Sequence, residues 1–373
     1  MAESFKIEKV ELSLVRLPMK DAFLSSESSV AYQEHIIVKV CGGGLVGWGE
    51  CACQPDPFYT EEYVGSCLGV LKDFLIPMIV GKDWNSIEDF QKRYSRVQRN
   101  HIAKAGLEMA VCDLMAKTLG VSLSELLGGQ RKAIDCGISL GIENSVEKLL
   151  ETIHQRYAIE GYKRIKLKVS VENDISVIKA VRKVYPKLPL MIDGNSDYTL
   201  KDINHLKRFD EFNLMMIEQP LSQDDFLDHA VLQKELETPI CLDESIVGIE
   251  HARQAIENGS CRIINIKPQM VGGLFNAKRI HDYCLSKNIA VWCGGMHEFG
   301  IGRAANIAIS SLIGFTIPGD VCSSDVRYEE DVLDTMIIAE KGVIQVPNSP
   351  GMGFEVNEAF IKKHSTCVET FTV

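Results

Sequence analysis

The chain has 373 residues, more than one ordinary domain holds, and with 46% hydrophobic residues it can build a large core. Its 40 Lys+Arg against 51 Asp+Glu leave a net charge of -11, which argues against nucleic acid and anionic membrane as partners and for a small ligand. The amino terminus lacks the apolar block of a signal peptide, and no run is long enough to span a bilayer. The twelve cysteines contain no CxxC pair, the nearest approach being Cys51-Ala52-Cys53, so they read as reduced thiols in a cytoplasmic protein.

In chain order, residues 5–15 alternate, 35–40 form an apolar run and 45–50 follow a glycine turn, which predicts an antiparallel meander. The intervening 21–29 is serine-rich and aperiodic and is expected to be a mobile loop. Gly42-Gly43-Gly44-Leu45-Val46-Gly47 fits the dinucleotide pattern GxGxxG, but a strand-like sequence follows where that motif needs a helix. It therefore reads as a hairpin turn. Residues 59–127 turn helical, most clearly at 102–119, where Ala103, Leu107, Ala110, Val111, Leu114, Met115 and Leu119 are linked by three- and four-residue steps. Gly128-Gly129 stops the helices, and the end of a first domain, 1–129, is placed there.

Beyond it, short apolar runs alternate with helical stretches. A first strand at 133–141 precedes a helix at 146–158, and a strand at 163–169 precedes a helix at 174–184 that stops before Pro186. Further helices are expected at 200–208, 224–236, 247–257 and 273–286, with a seventh strand at 289–294 and an eighth at 314–317. Eight strands alternating with helices describe an α/β protein with a βα barrel over 130–330. The segment 331–373 has no barrel unit and is expected to return to the first domain.

Lys168, Asp193, Glu218, Asp243 and Lys267 follow one another at intervals of 25, 25, 25 and 24 residues, the length of one strand-plus-helix unit. Each ends a short apolar run of the kind that forms a parallel strand buried on both faces. Any one of them could be a helix cap or a surface charge, as Asp243-Glu244-Ser245 illustrates. Five in register are better explained by a shared site at the carboxyl end of the barrel. The second and sixth strands of a closed eight-stranded barrel are opposed, so the two lysines face each other with the acids along the arc between them.

Three convergent carboxylates cannot all ionise in a partly dry site without a cation, and oxygen-only ligation points to Mg²⁺ or Mn²⁺ and away from zinc. A substrate carboxylate on that ion would hold its α-carbon between the lysines, which makes α-proton abstraction the expected chemistry. To serve as a base, Lys168 must fall several units from about 10.4, with Lys166 and the cation supplying the repulsion. Gly272-Gly273 reads as a strand-to-helix turn, and His297 and Glu298 as loop or cap residues.

The motifs Lys166-Leu167-Lys168, Asp193-Gly194-Asn195, Glu218-Gln219-Pro220, Asp243-Glu244-Ser245 and Lys267-Pro268 followed by Gly272-Gly273 resemble the enolase superfamily, muconate-lactonizing-enzyme subgroup. Residues 292–303 and Pro318-Gly319-Asp320 are similar to the o-succinylbenzoate synthase and N-succinylamino acid (N-acylamino acid) racemase family. That resemblance implies a capping α+β domain, completed by the C-terminal segment, over a modified (β/α)7β barrel. It implies Mg²⁺ on Asp193, Glu218 and Asp243, Lys168 and Lys267 as the acid/base pair, Ser139, Lys166, Gly295 and Met296 at the substrate, and Asn195 and Glu244 behind them.

Departures lie in the cap, at Phe23-Leu24-Ser25-Ser26-Glu27-Ser28 and Asp56-Pro57-Phe58-Tyr59, and at Gln269-Met270 after Lys267-Pro268. The rival activity is muconate or chloromuconate cycloisomerisation. A dipeptide epimerase is disfavoured because Gly319-Asp320-Val321-Cys322 lacks an Asp-x-Asp pair. A catalytically silent barrel acting as a binding protein is the alternative of another class. A small-molecule carboxylate substrate and a homo-oligomer are the expected partners.

Overall fold

The structure, a computed structural model, describes residues 5–24 and 29–373. Lys9–Leu24 and Ser29–Gly42 form a long antiparallel hairpin that Leu45–Cys51 continues. Pairing reaches Leu24 and Ser29, so the expected loop at 21–29 is strand at both ends, and residues 25–28 lie outside the described residues. Gly43 and Gly44, at φ +58° and +76°, make the two-residue turn between the second and third strands, as the sequence predicts. The last strand of the chain, Ser365–Thr372, pairs with 9–15 and completes the sheet.

Helix His101–Leu119 lies across this sheet and touches helices Leu274–Ser286 and Gly300–Ser310 on its other side, which is why it is apolar nearly all round. Two glycines of the third strand permit the close approach. A Cβ at Gly49 would stand 2.0 Å from the Gly106 carbonyl oxygen, and one at Gly47 would stand 2.1 Å from that of Ala110.

Seven strands, Gly137–Leu140, Arg164–Lys168, Leu190–Asp193, Ile217–Glu218, Ile240–Leu242, Ile263–Ile266 and Ala290–Cys293, form one parallel sheet in chain order. The eighth position is filled by 315–319, which makes single parallel bridges from Phe315 to Val291 and from Gly319 to Cys136. This is the expected (β/α)7β barrel of an α/β protein, with the eighth strand reduced to bridges where Pro318 and Gly319 discourage a ladder. Met191, Met216, Cys241, Ile263 and Trp292, each in or directly before one of five successive strands, pack on one another as an apolar plug separate from the main core.

Two stretches depart from the sequence reading. Residues 133–141 are two strands: Ala133–Asp135 pairs with Val343–Gln345 outside the barrel, and only Gly137–Leu140 enters it. Residues 200–208 are not one α-helix but a single α turn, Ile203–Leu206, between 3₁₀ segments Leu200–Asp202 and Lys207–Phe212. Leu200, Ile203, Leu206, Phe209 and Phe212 recur every three residues, which is the 3₁₀ period. All the cysteines are free thiols and ten of the twelve are buried, so packing rather than cross-linking holds the core. Among the described residues no helix is long and apolar enough to cross a membrane.

Candidate active site

Lys168 pairs in register with Asp193, and Asp193 with Glu218, so three successive strands end on charges standing side by side. Glu218 is level with Cys241, which puts Asp243 two residues further along the same face. Asp193, Glu218 and Asp243 each follow a member of the apolar plug by two residues, so they form the next layer above it inside the barrel. Lys267 follows the sixth strand directly. The second and sixth strands have three strands between them on one side and, on the other, the seventh strand, the 315–319 segment and the first. Lys168 and Lys267 therefore stand on opposite walls.

The amines close on the acids. Lys168 Nζ lies 2.7 Å from Asp193 Oδ2 and 2.5 Å from Asn195 Oδ1. Lys166 Nζ reaches Glu218 Oε2 and Asp320 Oδ2 at 2.9 Å each and Asp193 Oδ2 at 3.3 Å. Lys267 Nζ is 2.6 Å from Asp243 Oδ2 and donates to the Tyr59 hydroxyl at 2.7 Å. Buried Arg164 holds Asp320 Oδ1 at 2.7 Å, and the Trp292 ring lies 4.8 Å from its guanidinium and 5.1 Å from the Lys166 ammonium. Asn265 Nδ2 donates to Glu218 Oε1 at 2.9 Å. Glu244 Oε1 accepts from Asn195 Nδ2 at 3.1 Å and from the Tyr59 hydroxyl at 3.0 Å.

These contacts set the charges. Burial works against the Lys166 ammonium, but Asp320, Glu218 and Asp193 outweigh it and hold its pKa well above the ordinary lysine value. Burial is outweighed in the same way at Lys267, through Asp243, Glu244 and Glu218. Burial also opposes ionisation of Asp193 and Asp320, yet Lys168 and Lys166 hold the first, and Lys166 and Arg164 the second, below the usual carboxylate range. Glu218 moves the other way, pushed up by burial and then by the charge of Asp193. Glu244 is raised to about 7 by burial and by Asp243. Lys166, expected to repel a proton from Lys168, is thus gripped by three carboxylates.

Among the described residues no group of three or more His, Cys, Asp or Glu side chains is gathered so as to hold a metal ion. The lysine ammoniums are drawn onto the acids instead. The donor set still suits a hard divalent cation. Asp193, Glu218 and Asp243 offer only oxygens from neighbouring strand ends, and Asp243 Oδ1 is buried without a hydrogen-bond partner among the described residues.

The remaining expected residues flank this cluster. Ser139 is in register with Lys166 on the neighbouring strand, and its buried Oγ has no hydrogen-bond partner among the described residues. It lines a cavity of about 660 Å³ together with Leu140, Glu143, Arg156 and Arg327. A second cavity of about 270 Å³ is lined by Phe58, Tyr59, Asn195 and Glu244. Lys168 and Lys267, drawn into ion pairs, line neither cavity. Met296 is buried, and a Cβ on Gly295 would come within 3.0 Å of Glu298 Oε2.

The loop carrying Gly295 and Met296 is anchored from the cap. Glu50, fully buried at the end of the third cap strand, has Oε1 2.7 Å from His35 Nδ1 and accepts from the backbone N–H of Phe299 at 2.8 Å and of Gly302 at 2.7 Å. It caps the helix that follows the loop. Glu50→Ala is expected to cost about 3 kcal/mol, because it strands two amides and a histidine in the interior. Urea unfolding checks this, and a loss below about 1 kcal/mol would mean that these donors find other partners.

Asp320, Tyr59, Asn265, Trp292 and Arg164 join the site without having been assigned roles from sequence. Asp320 was legible only as the residue after Pro318-Gly319 at the eighth position. Tyr59 opens the stretch 59–127 expected to be helical, but the first helix begins at Val64, and the residues around Tyr59 give no signal of its partners.

The N-terminal domain of mandelate racemase / muconate lactonizing enzyme matches residues 9–128, and the enolase C-terminal domain-like family matches 148–360. An o-succinylbenzoate synthase of Bacillus subtilis is 46% identical over 368 residues, which is 98% of this chain and 99% of that protein. An N-succinylamino acid racemase of Thermus thermophilus is 42% identical over 358 residues, 96% of this chain and 97% of that one. The solved structure of an enolase superfamily member from Listeria innocua superposes with a TM-score of 0.95 at 38% identity, covering 99% of both chains. The chain therefore belongs to the mandelate racemase / muconate lactonizing enzyme family of the enolase superfamily, among the o-succinylbenzoate synthases and N-succinylamino acid racemases.

Proposed function

We propose that the enzyme removes the proton α to a substrate carboxylate, forming o-succinylbenzoate by loss of water, a step of menaquinone synthesis, and racemising N-succinylamino acids in the same site. The observation that carries this reading is the pair of lysines on opposite walls with three carboxylates between them, in a chain 46% and 42% identical to enzymes of those two names. Residues 1–129 with 331–373 act as the cap, and 130–330 as the catalytic barrel.

Asp193, Glu218 and Asp243 would hold a divalent cation, Mg²⁺ being the ion that such ligands suit, with Mn²⁺ the substitute. When bound, it supplies positive charge to the substrate carboxylate as the α-proton leaves. Lys168 and Lys267 address opposite faces of the α-carbon, so that in racemisation one takes the proton and the other returns it. In dehydration Lys168 takes the proton and hands one to the departing hydroxyl, while the Lys267 ammonium steadies the carboxylate's growing charge. Ser139, Lys166, Gly295 and Met296 line the substrate pocket.

Deuterium incorporation at the α-carbon of N-succinylamino acids in D₂O, dependent on added Mg²⁺ or Mn²⁺, is the expected result, together with formation of o-succinylbenzoate. The absence of both, with either metal, would favour a silent binding protein.

A further inference from the structure

The two lysines are held by different parts of the molecule. Lys168 is held by Asp193 and Asn195, both barrel residues. Lys267 is held by Asp243 of the barrel and by Tyr59 of the cap. Tyr59 lies on the segment between the cap strand Leu45–Cys51 and helix Val64–Val70.

That segment is tied down at both ends. At its start, the side chain of Gln269, two residues after Lys267, donates to the Glu50 carbonyl at 2.8 Å and accepts from Ala52 N–H at 3.3 Å. At its far end, Glu62 accepts from the N–H groups of Ile102 at 3.0 Å and of Ala103 at 3.2 Å, at the start of the long cap helix. Between these anchors Phe58 points outward, 77% exposed, while Tyr59 turns in, its ring 5.2 Å from the Lys267 ammonium.

The hydroxyl of Tyr59 has one proton, and that proton goes to Glu244 Oε1 at 3.0 Å. Its oxygen can therefore only accept from Lys267 Nζ, as it does at 2.7 Å. One N–H of Lys267 is thereby committed to the cap side, whatever Asp243 does. This fixes the flexible four-carbon stem and leaves the other positions on the nitrogen for the barrel axis.

We propose that Tyr59 is a positioning residue for Lys267, and that the cap segment carrying it acts on that wall of the site by direct contact, reaching Lys168 only at second hand through Glu244 and Asn195. The inference rests on the two-base reading above. It adds to that reading an asymmetry: proton transfer at Lys267 requires the cap segment to be seated, and transfer at Lys168 does not require this contact.

Tyr59→Phe isolates the hydroxyl, since the ring over the ammonium remains. The measurement is α-proton exchange in D₂O for the D and L forms of N-succinylphenylalanine with Mg²⁺ present. Each form is assigned to a lysine by whichever of Lys168→Ala and Lys267→Ala stops its exchange. Tyr59→Phe is expected to lower kcat for the Lys267-dependent form by about 10- to 100-fold, the range for losing a hydrogen bond to a charged group. KM and the Lys168-dependent form should each change by less than about 3-fold. Equal losses for both forms would mark a merely structural role, and no loss at the Lys267 face would leave the hydroxyl without one; either result overturns the proposal. Absence of exchange in the unsubstituted enzyme would overturn the two-base reading itself, a failure visible before any substitution is made.

Discussion

Lys267→Ala is expected to lower turnover by about 10²- to 10⁴-fold, the usual contribution of a positioned acid or base. Lys168→Ala should do the same. The Lys267 substitution should also be felt in stability, because Lys267 and Asp243 are 6% and 2% exposed and their ion pair is 2.6 Å long. Removing the amine leaves a carboxylate in the interior with neither oxygen satisfied, since Asp243 Oδ1 already lacks a partner among the described residues. A loss of about 3 kcal/mol is expected in metal-free protein, by denaturant unfolding. Saturating Mg²⁺ should restore most of the stability and none of the turnover. Full activity in either variant would sink the acid/base assignment; lost stability that Mg²⁺ fails to restore would count against Asp243 as a ligand.

The second large effect is loss of the metal. Chelation is expected to reduce turnover by about 10³-fold or more, because the substrate carboxylate then lacks the cation that offsets its growing charge. The protein should nonetheless stay folded. Asp193, Glu218, Asp243 and Asp320 face Lys166, Lys168, Lys267 and Arg164, in contacts of 2.6 to 3.3 Å, so the acids do not depend on an ion for neutralisation. A shift in melting temperature of less than about 4 °C is expected on chelation, scanned by calorimetry. Cooperative unfolding at room temperature on adding chelator would contradict this balance of charges.

The regular spacing of the five charges could be read because parallel strands buried on both faces are continuous apolar runs, and a charge ending each run stands out. Lys168, Asp193 and Glu218 end the second, third and fourth strands in register, as their spacing implies. Asp320 was harder to see because the eighth segment, Thr316-Ile317-Pro318-Gly319, is too short and too interrupted to look like a strand. The ion pairing that joins Lys166 to three carboxylates was not legible either. Residues brought together from four separate strand positions leave no local pattern. The misread stretch at 200–208 has a different cause: its three-residue apolar repeat was in plain view, but a helix of 3.6 residues per turn is the commoner reading of such a run. Tyr59 illustrates the limit most clearly, since its partners Glu244 and Lys267 lie 185 and 208 residues away.

The pairing of Ser365–Thr372 with 9–15 also governs how the molecule can be made. On the ribosome, the first long strand emerges early and its outer edge stays bare until residues 365–372 have been made. The cap sheet therefore closes only after the barrel units have had time to assemble. Deleting residues 365–372 would leave that edge open for good, an invitation to strand addition from a neighbouring copy.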